Sequence, residues 1–191
     1  MPAPPAPTHT VDATPVHDRL ADGTPIVIRP LLPADAELLL RGFAKLSPQT
    51  RYRRFLQATD HLTPAQVHYL THVDGYDHLA WGATTNDPAS GETIGIAVAR
   101  SVREPVDAHE AEFAIVVADD WQGRGVGSRV TRVLARKARD AGVQRWRATM
   151  LATNEAVLKL MALAGQEVSR SMDGRGCLEV VYRLASPEPP A

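Results

Sequence analysis

The sequence predicts an α/β fold built on a mixed sheet, and three observations carry that prediction. The first is the stretch Ala111 to Ala141, which reads as a buried strand, a glycine-rich turn and an amphipathic helix in direct succession. The second is the order of elements along the chain: one strand, two or three helices, a three-strand run, then helix, strand, helix and a closing strand pair. The third is size. At 191 residues, with no internal repeat, the chain is one domain with room for a real core.

Residues 1–21 are rich in Pro, Ala and Thr without periodicity and read as a disordered tail. Asp22-Gly23 signals a turn, and Ile26 to Arg29 is a first strand. Pro33-Ala34-Asp35 opens a helix with Ala36, Leu39, Leu40 and Phe43 at helical spacing. Ser47 can cap a short helix in LSPQTRYRRFL, which carries Arg51, Arg53 and Arg54, and Thr63-Pro64 starts another that ends near Val73-Asp74-Gly75. Two apolar strands, around 78–84 and 93–99, flank the turn sequence NDPASG. After the central strand and helix, Arg145 to Leu151 reads as a strand and Asn154 to Ala164 as a helix. Gln166 to Ser171 and Cys177 to Leu184 form a hairpin over Met172-Asp173-Gly174. The folded unit is expected over 22–185, with 186–191 a flexible C-terminus.

Within the central helix, Val126, Val130, Val133, Leu134, Ala138 and Ala141 share one stripe, and Arg129, Arg132, Arg136 and Arg139 the opposite face. Lys137 falls inside the apolar stripe, so its stem is expected to be buried with its ammonium in water. The turn before the helix, Gln122-Gly123-Arg124-Gly125-Val126-Gly127-Ser128, suits an anion. A helix start leaves backbone N–H groups unpaired and adds partial positive charge, and glycines clear side chains away from those donors. A triphosphate-binding loop would need Gly-Lys-Ser/Thr, and a dinucleotide fingerprint G-x-G-x-x-G; neither is present. Gln122, Gly125 and Gly127 satisfy a third pattern, Gln/Arg-x-x-Gly-x-Gly/Ala.

That pattern, placed directly after a strand, resembles the acyl-CoA-binding motif of the GNAT superfamily of N-acetyltransferases. The whole element order from 22 to 185 is similar to that fold, which implies a mixed, mostly antiparallel sheet of six to seven strands flanked by helices. The resemblance further implies that Gln122 to Ser128 hold the pyrophosphate of acetyl-CoA. It also implies that the strand residues Ile115, Val116 and Val117 pair with the pantetheine arm. LSPQTRYRRF and VDGYDHLA look like the bacterial protein lysine acetyltransferases of the Pat type. In those enzymes a glutamate on the strand before the loop is the general base, and Glu112 is the matching position. Asn154, which can cap its helix, is then also a candidate contact to the cofactor. Many members carry a Tyr seven residues after that Asn as a proton donor; here the position is Met161.

The chemistry asks for a base more than an acid. A lysine amine with a pKa near 10.4 is neutral in only about one molecule per thousand near pH 7.4, whereas a thiol with a pKa near 8.5 departs almost unaided. Glu112 lies in an otherwise apolar strand, where lost solvation suits a base working near neutrality. The other reading is that it neutralises an arginine of the RYRRF segment. Glu110 and His109, nearer the strand's start, are expected to be more exposed.

Composition excludes several classes. Net charge is −1, so no field favours nucleic acid or an acidic membrane, and a single cysteine rules out an internal disulfide. No apolar run approaches the ~20 residues that cross a bilayer, and no basic-then-apolar leader opens the chain, so a cytoplasmic protein is expected. His68 and His72 stand four apart without a third ligand, and no metal is expected. The reading is acetyl-CoA-dependent transfer in a ternary complex to an amine. The expected acceptor is a lysine of a partner protein, such as an acyl-CoA synthetase, and any regulation is expected to come from another chain. The alternatives are a small-molecule amine acetyltransferase and a non-catalytic acyl-CoA-binding module. The acceptor site is expected near residues 45–76 and the final hairpin.

Overall fold

The computed structural model describes residues 11–174 and 176–185. Eight strands form one sheet in the order β1-β2-β3-β4-β5-β6-β8-β7. In chain order they are β1 (Val16–Arg19), β2 (Pro25–Pro30), β3 (His78–Asn86), β4 (Thr93–Glu104), β5 (Asp107–Val117), β6 (Arg145–Leu151), β7 (Gly165–Met172) and β8 (Cys177–Leu184). Every neighbouring pair is antiparallel except β5 and β6. The expected six to seven strands become eight because a strand lies within what reads as tail.

That strand corrects the boundary at residue 22. β1 pairs with β2 from Val16↔Ile28 to Arg19↔Pro25, and Leu20 behind it joins the main core at 4% exposure. Residues 1–10 of the expected tail, and the C-terminus 186–191, lie outside the described residues.

Five α-helices cover the two faces: α1 (Ala36–Ala44), α2 (Pro48–Phe55), α3 (Pro64–Thr71), α4 (Val126–Asp140) and α5 (Glu155–Ala164). Their starts follow from local chemistry. The Ser47 hydroxyl accepts from Thr50 N at the head of α2, and Thr63 with Gln66 forms a reciprocal capping box on α3. The α4 stripe is buried as its spacing predicts; Val126, Val130, Leu134 and Ala138 have no exposure. α4 and α5 pack on one sheet face over a large core that includes Trp81, Phe113, Trp146 and Met161. α1, α2 and α3 cover the other face around a smaller cluster of Phe43, Leu46, Leu62 and Leu70. β3, between the two layers, is buried from His78 to Thr85.

Lys137 departs from expectation. It is 3% exposed overall, its ammonium donates to Asp12 Oδ2 at 2.7 Å, and it sits 5.3 Å from the centre of the Trp81 ring. The ammonium is covered because the segment ahead of β1 folds back across α4. The Lys137 hydrogen bond, followed by those from Thr14, holds the Asp12 carboxyl well below the usual carboxylate range.

Candidate active site

The seam between β5 and β6 organises the site. Their parallel ladder has three paired positions, Glu110↔Arg145, Ala111↔Trp146 and Glu112↔Arg147. β5 continues to Val117 and β6 to Leu151, but past Glu112 and Arg147 the two strands are no longer paired. The edge of β5 from 113 to 117 is therefore open on the β6 side while β4 holds the other side. An open strand edge offers a row of backbone donors and acceptors to an extended ligand.

The closed end of the seam is sealed by charge. Glu110 Oε2 accepts from Arg145 Nε at 3.1 Å and Glu110 Oε1 from Arg147 Nε at 2.8 Å, with a second, shorter bond from the Arg147 guanidinium. Asp107 adds a bond to Arg145 at 2.5 Å. Glu110 is 6% exposed, whereas Glu112 is exposed, two residues along on the same face. This reverses the expected order of burial. Both arginines extend from β6 over Glu110, and β6 then turns away, so Glu112 stands at the mouth of the opening. His109 is exposed as expected.

Glu112 forms no salt bridge among the described residues. The arginine reading survives only at a distance: the Glu112 charge acts on Arg54 of α2, whose guanidinium burial pushes below its ordinary value while Glu112 and then Tyr69 oppose the shift. Arg51 of the same helix makes no ion pair among the described residues either; its guanidinium donates to the carbonyls of Ala44 and Asp60 and lies over the Phe43 ring.

The open edge leads straight into the glycine turn. Gly125 is the N-cap of α4 at φ +83, and no side chain caps the helix. A Cβ at this position would lie 2.7 Å from Arg129 Nη1, and positive φ strains any L side chain, so glycine is required here. At Gly127 a Cβ would meet Leu160 at 3.3 Å and Val117 at 3.4 Å, so glycine lets α4 lie close to β5 and α5. The first N–H groups of α4 are thus left to a ligand or to water.

The other expected contacts are placed as follows. Ile115 points into the main core and Val116 to the opposite face, while Val117 touches Gly127. The Gln122 amide donates to Val117 O at 3.1 Å and Thr50 Oγ1 at 3.3 Å. Arg124 is held by Asp22 at 2.5 Å and stacks 4.1 Å over Trp121. Gly123 lies in the turn at φ +73, and Ser128 in the first turn of α4. Asn154 is the buried N-cap of α5, but its side chain makes no capping bond, so capping does not account for it. Met161 has no exposure and belongs to the core, where it packs rather than exchanges protons.

One member of the site escapes the sequence reading. Asp119, in the turn before the glycines, accepts from Ser47 N at 2.8 Å, Ser47 Oγ at 2.7 Å and Thr50 Oγ1 at 2.7 Å. It ties the head of α2 to the loop. Burial raises its carboxyl, but the bonds from Ser47 and Thr50 outweigh that and hold it below the ordinary value. The only available signal was an acidic residue in the turn; its partners lie 69 and 72 residues away. His68 and His72 stack at 3.7 Å on α3, and among the described residues no group of three His, Cys, Asp or Glu could hold a metal.

Comparison with known proteins fits this geometry. A model of the acetyltransferase (GNAT) domain matches residues 26–167. Acetyltransferase Pat of Mycolicibacterium smegmatis is 41% identical over 152 residues, covering 80% of this chain but only 44% of that protein. The chain thus spans less than half the length of that relative. Acetyltransferase PA5475 of Pseudomonas aeruginosa is 30% identical over 168 residues, covering 88% of each chain. The crystal structure of the GNAT domain of S. lividans PAT superposes with a TM-score of 0.78 at 30% identity, covering 89% of this chain and 97% of that one. A family match across most of the fold, joined to 41% identity over four fifths of the chain, makes this chain a member of the GNAT acetyltransferase family.

Proposed function

We propose that this domain transfers an acetyl group from acetyl-CoA to an amine, the ε-amine of a lysine on a partner protein, with Glu112 as general base. The observation that carries the proposal is the opened seam: a strand edge unpaired by β6 from 113 to 117, with Val117 O taken by the Gln122 amide, an uncapped glycine-started helix at one end and an exposed carboxylate at the other.

In this reading the N–H groups of Gly123, Arg124, Gly125, Val126, Gly127 and Ser128 hold the pyrophosphate, beside Gln122, whose own N–H donates to Asp119 O at 3.2 Å. The pantetheine arm extends along Ile115, Val116 and Val117, and Asn154 faces it from the β6 side. Glu112 takes a proton from the incoming ammonium. The neutral nitrogen attacks the thioester carbonyl carbon, forming the C–N bond, and the C–S bond breaks. The nitrogen sheds its second proton as the amide forms, and the thiolate takes it up through water, which suits a position 161 filled by Met. Removing the ammonium proton accounts for roughly 4 kcal/mol near neutrality, the gap a positioned base must address.

The lysine acceptor rests on the likeness to Pat-type enzymes and on the exposure of Glu112, which leaves the mouth accessible to a side chain presented by another protein. Saturating acetyl-CoA should raise the melting temperature, and cells with and without the protein should differ in acetylated lysines by mass spectrometry. No thermal shift would remove the cosubstrate. A shift without any lysine difference, together with coenzyme A release on small amines, would replace the acceptor.

A further inference from the structure

On the α1–α3 side of the sheet lies a cavity of about 90 Å³, lined mainly by apolar side chains such as Leu39, Phe55 and Val116. One water needs roughly 10–15 Å³ on this measure, so a short acyl chain fits. Its charged lining is unbalanced. Arg29 and Asp35 pair with each other at 2.6 Å and cancel. Arg100, 4% exposed, donates to His78 Nε2 at 3.0 Å and to Leu70 O at 2.5 Å, both uncharged acceptors if the histidine is neutral. Arg54 has no hydrogen bond or salt bridge among the described residues. Two guanidinium groups, Arg100 buried and Arg54 half-buried at 5.0 Å over the Phe55 ring, therefore share an apolar space with no carboxylate bonded to either among the described residues. Burial, and then the Arg54 charge, pushes Arg100 down to about 10. Burying unpaired charge is unfavourable, and an anion with an apolar stem would relieve it.

The place of the cavity says which anion. Val116 lines it, and Val116 belongs to the strand edge assigned to the pantetheine arm. Arg54 lines the same cavity, and the Glu112 charge acts on it. We propose that the cavity is an acyl pocket and that the domain takes short acyl-CoA thioesters ending in a carboxylate, of the succinyl type, with Arg54 reading the carboxylate and Arg100 supporting it. The chemistry is unchanged: the amine forms the C–N bond, the C–S bond breaks, and the distal carboxylate is a spectator. This inference rests on the acyl-CoA reading given under Proposed function.

The test compares succinyl-CoA with butyryl-CoA, which has the same chain length but no carboxylate, by equilibrium binding to the intact chain. Acetyl-CoA and free glutarate are run alongside. Wild type should prefer succinyl-CoA over butyryl-CoA, and Arg54→Met should reduce that ratio on the order of tenfold or more, as expected for a lost hydrogen bond to a charged group. Arg54→Lys should fall between them. Acetyl-CoA binding with no succinyl preference in wild type overturns this inference alone, as does a preference that Arg54→Met leaves intact. If no acyl-CoA binds, acetyl-CoA included, both readings fall. Glutarate that binds without competing with acyl-CoA makes the pocket a site for free carboxylates and overturns the acyl assignment. Should Arg54→Met fail to fold, the wild-type ratio and Arg54→Lys still decide.

Discussion

The two ends of the β5–β6 seam hold the same residue type, two positions apart and on one sheet face, in opposite circumstances. At the closed end Glu110 is covered and bound by Arg145 and Arg147; at the open end Glu112 is exposed and forms no salt bridge among the described residues. What separates them is where β6 stops running alongside β5. A carboxylate against a paired strand becomes structural, and one where the strands part is left available. Sequence parity assigns both to one face but says nothing about where the ladder ends.

The sharpest way to break that contrast is Glu112→Gln, which keeps shape and removes the carboxylate. Loss of one positioned base lowers the rate about 10²–10⁴-fold. Acetyl-CoA affinity should stay near wild type because the glycine turn is untouched, and the acid limb of the pH–rate profile should lose one ionisation. Near-wild-type turnover with an unchanged acid limb would take Glu112 out of the chemistry.

Next in size is Gly125→Val, which attacks the open end through the loop. With ligand at a hundred times its Kd, binding stabilises the folded state by about 2.7 kcal/mol. The variant should lose most of that acetyl-CoA-dependent rise in melting temperature. A ligand shift equal to wild type would mean that the α4 start does not hold the cosubstrate.

Glu110→Gln should act in the reverse sense to Glu112→Gln, on stability rather than turnover. It removes the carboxylate that two arginines share, but Arg145 keeps Asp107 and Arg147 keeps Glu179, and both are partly solvated, at 32% and 40% side-chain exposure. A cost of about 1–3 kcal/mol, below that of a fully buried pair, is expected by denaturant unfolding. A normal unfolding midpoint with a rate reduced by orders of magnitude would exchange the roles of the two glutamates.

Much of this was legible beforehand because it is local. The α4 stripe, the caps at Ser47 and Thr63, and the bounds of β6 all follow from periodicity and turn chemistry within a few residues. β1 leaves no mark in the sequence because VHDR is short and polar, with three of its four residues exposed, so no alternation announces it. The spacing of α4 sends the Lys137 ammonium to water because its partner Asp12 lies 125 residues away. The reversal at Glu110 and Glu112 has the same origin: arginines from another strand decide which carboxylate is covered. Met161 shows the converse, since an apolar residue at helical spacing on α5 lies in the core as its chemistry suggests.

The smallest effect concerns how the open end is held in place. Asp119 joins the glycine turn to α2, the helix that carries Arg54, through three hydrogen bonds to Ser47 and Thr50. Because the folded state holds this carboxyl below its ordinary value of 3.8, its contribution is fully present above that value. It is lost as pH falls through the lower folded value, when the folded state takes up the proton and its acceptor geometry weakens. Asp119→Asn removes the charge at every pH and keeps one acceptor, at a cost of about 1 kcal/mol near neutrality. The difference in stability between wild type and Asp119→Asn should therefore be level from pH 7 to 5 and shrink below pH 4. A gap that persists undiminished in acid would show that the carboxylate charge does not fasten the loop to α2, and that the open end is held by packing alone.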